Sequence, residues 1–265
     1  MRILEIRDEY DNRGVGILLY YEKSHCFIVE LTEGSDEWTA PFFFAPYVKK
    51  GVFTIPRSDS LAWVRSRIIP PSRQNIDMIL RNHHLKEYDE MKFLELSEGR
   101  CSQDSLCVKP VAKLPEYVRS RQEHNVTECC ILAGRKLLCI FADDTVSRID
   151  MSRLAGIKDV DKIINNASLF ESCKVGAGGY FITFNNSIDI QAETLYKEGD
   201  RVSLTGSELI GFVRNGFADT TRACELLDCS RQNLSYMVRQ GYLMPVKEDV
   251  KGNLYLKGDV IKNLW

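Results

Sequence analysis

Arg231, Gln232 and Asn233 stand in consecutive positions behind Ser230, with Tyr236 and Arg239 following at helical spacing. An arginine fork matches the O6 and N7 acceptors of guanine, and Asn and Gln amides match N6 and N7 of adenine. Ser230 is a helix-capping type, so the three polar side chains fall in the first turn of a helix. In two-helix reading motifs that end of the second helix enters the major groove. Hydroxyls near helix N-termini, here Thr221 and Ser230, suit phosphate oxygens. Arg222 lies beside Thr221. Downstream, Lys247, Lys251 and Asn253 are types that follow a phosphate backbone or a minor groove.

Other chemistries find no pattern here. There is no G-x-S-x-G, no H-E-x-x-H and no histidine in a nucleophile context, so no catalytic residue is assigned and no enzyme is expected. Asp143-Asp144 and Asp159 with Asp161 are cation-ligand types, but turn chemistry accounts for them. Gly176-Ala177-Gly178-Gly179 runs into Tyr180-Phe181-Ile182-Thr183-Phe184, a strand, whereas a phosphate loop opens a helix, so a tight hairpin is expected. The chain has nine cysteines without a C-x-x-C, and its four histidines lie far in sequence from any cysteine pair. A disulfide framework and a zinc site are therefore not read, and most thiols are expected in the core. No metal, cofactor or small-molecule substrate is expected.

Length and composition bound the setting. The 265 residues suggest two domains or three small ones, and 44% apolar with 27% charged residues excludes wholesale disorder and a fibre. Basic residues number 35 against 37 acidic, a net charge of -2. That excludes coating of nucleic acid by bulk charge and leaves room for a locally focused binder. No apolar run reaches the roughly 18 residues of a membrane span. Glu5, Asp8 and Glu9 stand where a signal peptide would be apolar. A cytoplasmic location and no membrane partner are the expectation.

The elements that position these residues read as an α+β chain. Three segments are expected: a β-rich then helical region over 1–122, a small α+β module over 124–200, and a winged helix-turn-helix over 201–265. Gly16–Tyr21 and Cys26–Leu31 read as a hairpin around Glu22-Lys23-Ser24-His25. Phe42-Phe43-Phe44, held out of a helix by Pro41 and Pro46, reads as a loop packed on the sheet. Ser60 is expected to cap a helix over 61–67, Ser72 a second with Ile76, Ile79 and Leu80 on one face, and a third runs from Glu87 to Ser97. Strands are expected at 131–132, 137–141, 146–149, 173–175, 180–184 and 188–190, with a helical stretch at 160–164. Thr220 or Thr221 caps a short helix with Ala223, Leu226 and Leu227 inside. Asp228-Cys229 turns the chain, and Ser230 caps a second helix with Leu234, Met237 and Val238 inside and Gly241 at its end. A hairpin over 246–256 around Lys251-Gly252-Asn253 and a last helix from Asp259-Val260 complete the unit.

Ala223, Leu226-Leu227, Ser230, Leu234, Gly241-x-Leu243-x-Pro245, Gly252, Tyr255 and Asp259-Val260 together resemble the winged helix of the MerR and excisionase families. The hairpin has no arginine, and no long dimerising helix follows, which favours the excisionase-like variant. The likeness implies double-stranded DNA as partner, read by the second helix. Leu169-Phe170, Val175, Gly179-Tyr180, Ile182, Phe184, Ile188-Asp189-Ile190 and Leu195-Tyr196 resemble a small bacterial domain of unknown function found beside helix-turn-helix modules. Trp63, Arg67, Pro70, Arg73, Asn75-Ile76, Ile79-Leu80, Leu85, Tyr88-Asp89, Gly99-Arg100 and Asp104 resemble a segment of HipA-like proteins, without their kinase part. That likeness implies a docking or recognition module.

The expected function is sequence-specific DNA binding, as a bacterial or phage transcriptional regulator or excisionase-like factor. The alternative is a protein-interaction adaptor or antitoxin-like partner that docks through the winged helix. A homodimer or a protein partner would supply further contacts, because residues 217–265 carry seven basic against six acidic residues. The stretch from Lys49 to Arg81 is more basic, seven against two. It also repeats the order Ser72-Arg73-Gln74-Asn75, which is read as shared helix grammar, and a structural or docking face is favoured there over a second DNA contact.

Overall fold

The computed structural model describes residues 1–246 apart from 202, 204 and 205. The chain is a mixed α+β protein built on antiparallel sheets. It divides into two compact units, one over residues 1–215 and one from 216 onward. The boundaries expected at 122–124 and 200–201 both fall inside the first unit.

Strands β1 (Arg2–Asp8), β2 (Arg13–Tyr21) and β3 (Cys26–Leu31) form a meander. Helix α1 (Ala45–Val48), strand β4 (Thr54–Ile55) and helix α2 (Arg57–Arg65) follow, then α3 (Ile76–Asn82), α4 (Glu90–Ser97), β5 (Leu106–Pro110) and α5 (Glu116–Gln122). The first sheet has the order β4-β3-β2-β1-β5. The expected four-residue connection closes the β2–β3 hairpin, with Tyr21 opposite Cys26 and His25 in the left-handed region. Strand β2 is apolar without alternation because both of its faces are covered. Leu18 and Tyr20 join the core under α2 and α4, with Phe44, Trp63 and Leu94. Ile17 and Leu19 meet Val118, Tyr180 and Phe181 on the other side.

A second sheet is made of β6 (Val126–Leu132), β7 (Lys136–Phe141) and β8 (Val146–Asp150). Helices α6 (Val160–Asn165) and α7 (Ala167–Glu171) lead to a third sheet of β9 (Lys174–Val175), β10 (Phe181–Phe184) and β11 (Ile188–Gln191). Helix α8 (Ala192–Glu198), strand β12 (Asp200–Arg201), which pairs with β8, and helix α9 (Gly206–Gly216) complete the first unit. Asn185 and Asn186 both take positive φ in the β10–β11 turn, the conformation that favours asparagine. The glycine-rich segment joins the antiparallel pair β9–β10, as expected. A Cβ on Gly178 would lie 2.1 Å from the Tyr21 hydroxyl, and one on Gly179 would lie 2.3 Å from the Val126 carbonyl. Those glycines are needed for close packing.

The structure corrects several expectations in this unit. Ser60 does not cap a helix. Helix α2 starts behind Pro56, and the buried Ser60 hydroxyl donates to the Ile55 carbonyl and accepts from the Val29 amide, at 3.1 and 3.0 Å. Ser72 caps nothing either. Turns run from Pro70 to Asn75 and α3 begins at Ile76. Ile76, Ile79 and Leu80 do pack on the core as one face. Helix α4 starts three residues later than expected because Asp89 is its cap, accepting from the Lys92 amide at 3.0 Å. The phenylalanine cluster divides: Phe44 is fully buried, whereas Phe42 is 98% exposed. Helices α1, α5, α7, α8 and α9 and strands β5 and β12 were not expected.

All nine cysteines are free, and Cys26, Cys107, Cys130 and Cys139 are buried. Burial pushes the Cys26 and Cys130 thiols up to about 11, as suits core positions.

Candidate nucleic-acid interface

The described residues of the second unit form two short helices, α10 (Thr220–Leu227) and α11 (Arg231–Arg239). Helix α10 is capped by Asp219, whose carboxylate accepts from the Arg222 amide at 2.8 Å. This corrects the assignment of that cap to Thr220 or Thr221, which lie inside the helix. Asp is as good a cap as Ser or Thr, so the residue one place upstream prevails. At the other end Asp228 takes the left-handed conformation, and the amides of Asp228 and Cys229 reach the Glu225 and Cys224 carbonyls. That pair of bonds closes the helix as a Schellman motif.

Ser230 caps α11 as expected, its hydroxyl accepting from the Asn233 amide at 3.2 Å. Gly241, with φ of 73°, ends it: the Gly241 amide donates to Val238 and the Tyr242 amide to Met237. Leu234 is buried, and Met237, Val238, Ala223 and Leu227 are half-buried, which matches the expected inner faces. Leu226 does not belong to them. It is 66% exposed, because the turn of α10 carries it past the face that Ala223 and Leu227 share.

Thr221, Arg222, Ser230, Arg231, Gln232, Asn233, Tyr236 and Arg239 are all exposed. Arg231, Gln232 and Asn233 occupy the first turn of α11. The Arg231 guanidinium donates to the Thr221 hydroxyl at 3.3 Å, which ties the start of α11 to the start of α10. Arg239 reaches back to the Ser235 carbonyl at 3.4 Å. Arg222 pairs with Glu225 at 2.9 Å. Its charge is therefore partly engaged within its own helix.

Charge is distributed unevenly between the two helices. Helix α11 contains Arg231 and Arg239 and no acidic residue. Asp219, Glu225 and Asp228 all belong to α10 and its ends, against Arg222 alone. A shallow concavity of about 500 Å³ lies between Thr221, Glu225, Asp228 and Arg231. Its two carboxylates, Glu225 and Asp228, make it a poor phosphate seat, whereas the exposed face of α11 carries no carboxylate.

Lys247, Lys251, Asn253, the expected hairpin over 246–256 and the expected last helix lie outside the described residues, Val246 apart. Among the described residues no helix is long and apolar enough to cross a membrane. Nor do they include a group of three or more His, Cys, Asp or Glu side chains arranged to hold a metal ion. The cation-ligand candidates serve local structure: Asp143 accepts from the Thr145 amide and the Tyr196 hydroxyl, and Asp159 pairs with Lys162.

Comparison with protein-family models, with curated proteins and with solved structures returned no match for this chain.

Proposed function

We propose that this chain binds double-stranded DNA in a sequence-specific manner, as a bacterial or phage transcriptional regulator or an excisionase-like factor. One observation carries the reading. A serine-capped helix without acidic residues exposes Arg231, Gln232 and Asn233 in its first turn, supported by a second helix at a tight turn. Those are the side chains and the helix end that pair with base edges in a major groove. Thr221 and Ser230 would contact phosphates from the helix N-termini, Tyr236 and Arg239 would extend the contact along α11, and Lys251 and Asn253 would add contacts from the expected hairpin.

The alternative, a docking module for a protein partner, is favoured by different features of the same unit. Residues 217–246 hold three arginines against three carboxylates, and Leu226, Tyr242 and Met244 are exposed. Selection of duplexes from a random pool, followed by fluorescence anisotropy across a salt series, separates the two readings. The DNA reading requires an enriched sequence and an affinity that falls linearly in log[salt]. A pool that stays random, with no salt-dependent binding, leaves the docking reading.

A further inference from the structure

Two thiols bracket the turn between α10 and α11. Cys224 lies in the second half of α10, and Cys229 directly precedes Ser230, the cap of α11. The Cys229 amide donates to the Cys224 carbonyl at 3.0 Å, the outer bond of the Schellman motif. That motif commonly brings the side chains of its two outer residues into contact. Here the contact is between sulfhydryls. The Cys224 thiol shares a hydrogen bond with that of Cys229, and both line the concavity beside Arg231. A main-chain hydrogen bond between two residues also holds their Cα atoms within the span that a disulfide bridges. Both thiols are free and only half-buried, so a small reagent can reach them.

We propose that Cys224 and Cys229 form a reversible dithiol–disulfide site, oxidised by exchange with a low-molecular-weight disulfide. Burial and the neighbouring Cys229 thiol raise the Cys224 thiol above its usual range, so Cys224 is a poor attacker and reacts second. The Cys229 sulfur, its proton lost to water, attacks the small disulfide. A bond to one of its sulfurs forms, the original S–S bond breaks, and one thiolate leaves and takes up a proton. Cys224, deprotonated in turn, then attacks the Cys229 sulfur. The Cys224–Cys229 bond forms, the mixed disulfide breaks and the second small thiol leaves. The two protein thiols give up two electrons, which reduce the small disulfide to two thiols. The new bond fastens the residue before the Ser230 cap to α10. It therefore sets how firmly the first turn of α11 is held, whether that turn meets DNA or a protein.

Tryptic cleavage after Arg222 and Arg231 releases both cysteines, and no other, in one peptide, residues 223–231. The full chain is equilibrated in buffers of rising oxidised-to-reduced glutathione ratio, quenched with acid, alkylated, digested and weighed by mass spectrometry. The peptide is expected to pass from doubly alkylated to unalkylated and two hydrogens lighter, and dithiothreitol is expected to reverse the change. Two cysteines this near in sequence can also pair in an unfolded chain, so the series is repeated in concentrated urea. The folded chain is expected to reach its midpoint at a ratio about tenfold lower than the unfolded one. Cys224→Ser is expected to stop at the mixed disulfide, with glutathione retained on Cys229. A peptide that stays doubly alkylated or carries two glutathiones, equal midpoints in the two series, or a Cys229 that stays alkylated in Cys224→Ser overturns the proposal.

Discussion

Ser72-Arg73-Gln74-Asn75 and Ser230-Arg231-Gln232-Asn233 are the same four residues in two settings. Behind Asp228 and Cys229 the second copy opens a helix, with Ser230 capping it. Behind Pro70-Pro71 the first copy is a series of turns: the Arg73 amide donates to Pro70 and the Ile76 amide to Arg73. Asn75 ends up accepting from the Arg73 guanidinium at 3.0 Å instead of entering a helix. The lesson extends to charge. In the basic stretch from Lys49 to Arg81, Lys49 pairs with Glu37, Arg57 with Asp189, Arg65 with Glu90 and Arg67 with Asp104. On α11 the partners of the two arginines among the described residues are a hydroxyl and a carbonyl. Arg57 and Arg67 are thus internal fasteners, whereas Arg231 and Arg239 are exposed donors.

The largest contrast should come from Arg67→Met. Arg67 is itself almost fully buried, over the Trp63 ring, and donates to the Gly99 carbonyl as well as to Asp104, so losing its packing and buried hydrogen bonds is expected to cost about 2–3 kcal/mol, read as a drop in the urea midpoint. A loss below about 1 kcal/mol would put Arg67 among ordinary surface arginines. Next comes Arg231→Ala, expected to cost about 1–3 kcal/mol in binding to the selected duplex, with relaxed preference at one base pair. Equal weakening on selected and scrambled DNA would make Arg231 a phosphate contact.

Ser230→Ala should destabilise the second unit by about 1 kcal/mol through loss of the cap, whereas Ser72→Ala should fall within about 0.5 kcal/mol of the parent. Paired thermal melts of the two variants check this directly, and equal shifts would erase the distinction. The smallest effect concerns salt. Replacing Arg65, Arg73 and Arg81 together by Gln is expected to leave the slope of log K against log[salt] unchanged, while Arg231→Gln with Arg239→Gln lowers it by about 0.9 per lost contact. A fall of about two in the first variant would make the protein a two-site DNA binder.

Much of the local structure was legible. The β2–β3 and β10–β11 hairpins, the β7–β8 turn at Asp143-Asp144, helix α6 and the Ser230 cap each follow from residue types that act within a few positions. The candidate face of α11 was legible for the same reason, since capping fixes the helix start and so the exposed turn. The missed helices have different reasons: α5 is short and buries only Val118, and α9, 11 residues long, contains Gly206, Gly211 and Gly216, poor helix formers. Asp219 was overlooked because two threonines follow it, and each is a cap type.

Turn chemistry, capping and hairpin spacing were determined by the sequence alone, because their hydrogen bonds close within about four residues. Only the tertiary structure decided what long-range packing controls. Ser60 left the cap because burial against β3 set its hydroxyl between Val29 and Ile55. Arg67 left the surface because Asp104, 37 residues away, meets it over the Trp63 ring. Burial and pairing depend on which distant segments the core brings together, and no window along the chain contains that choice.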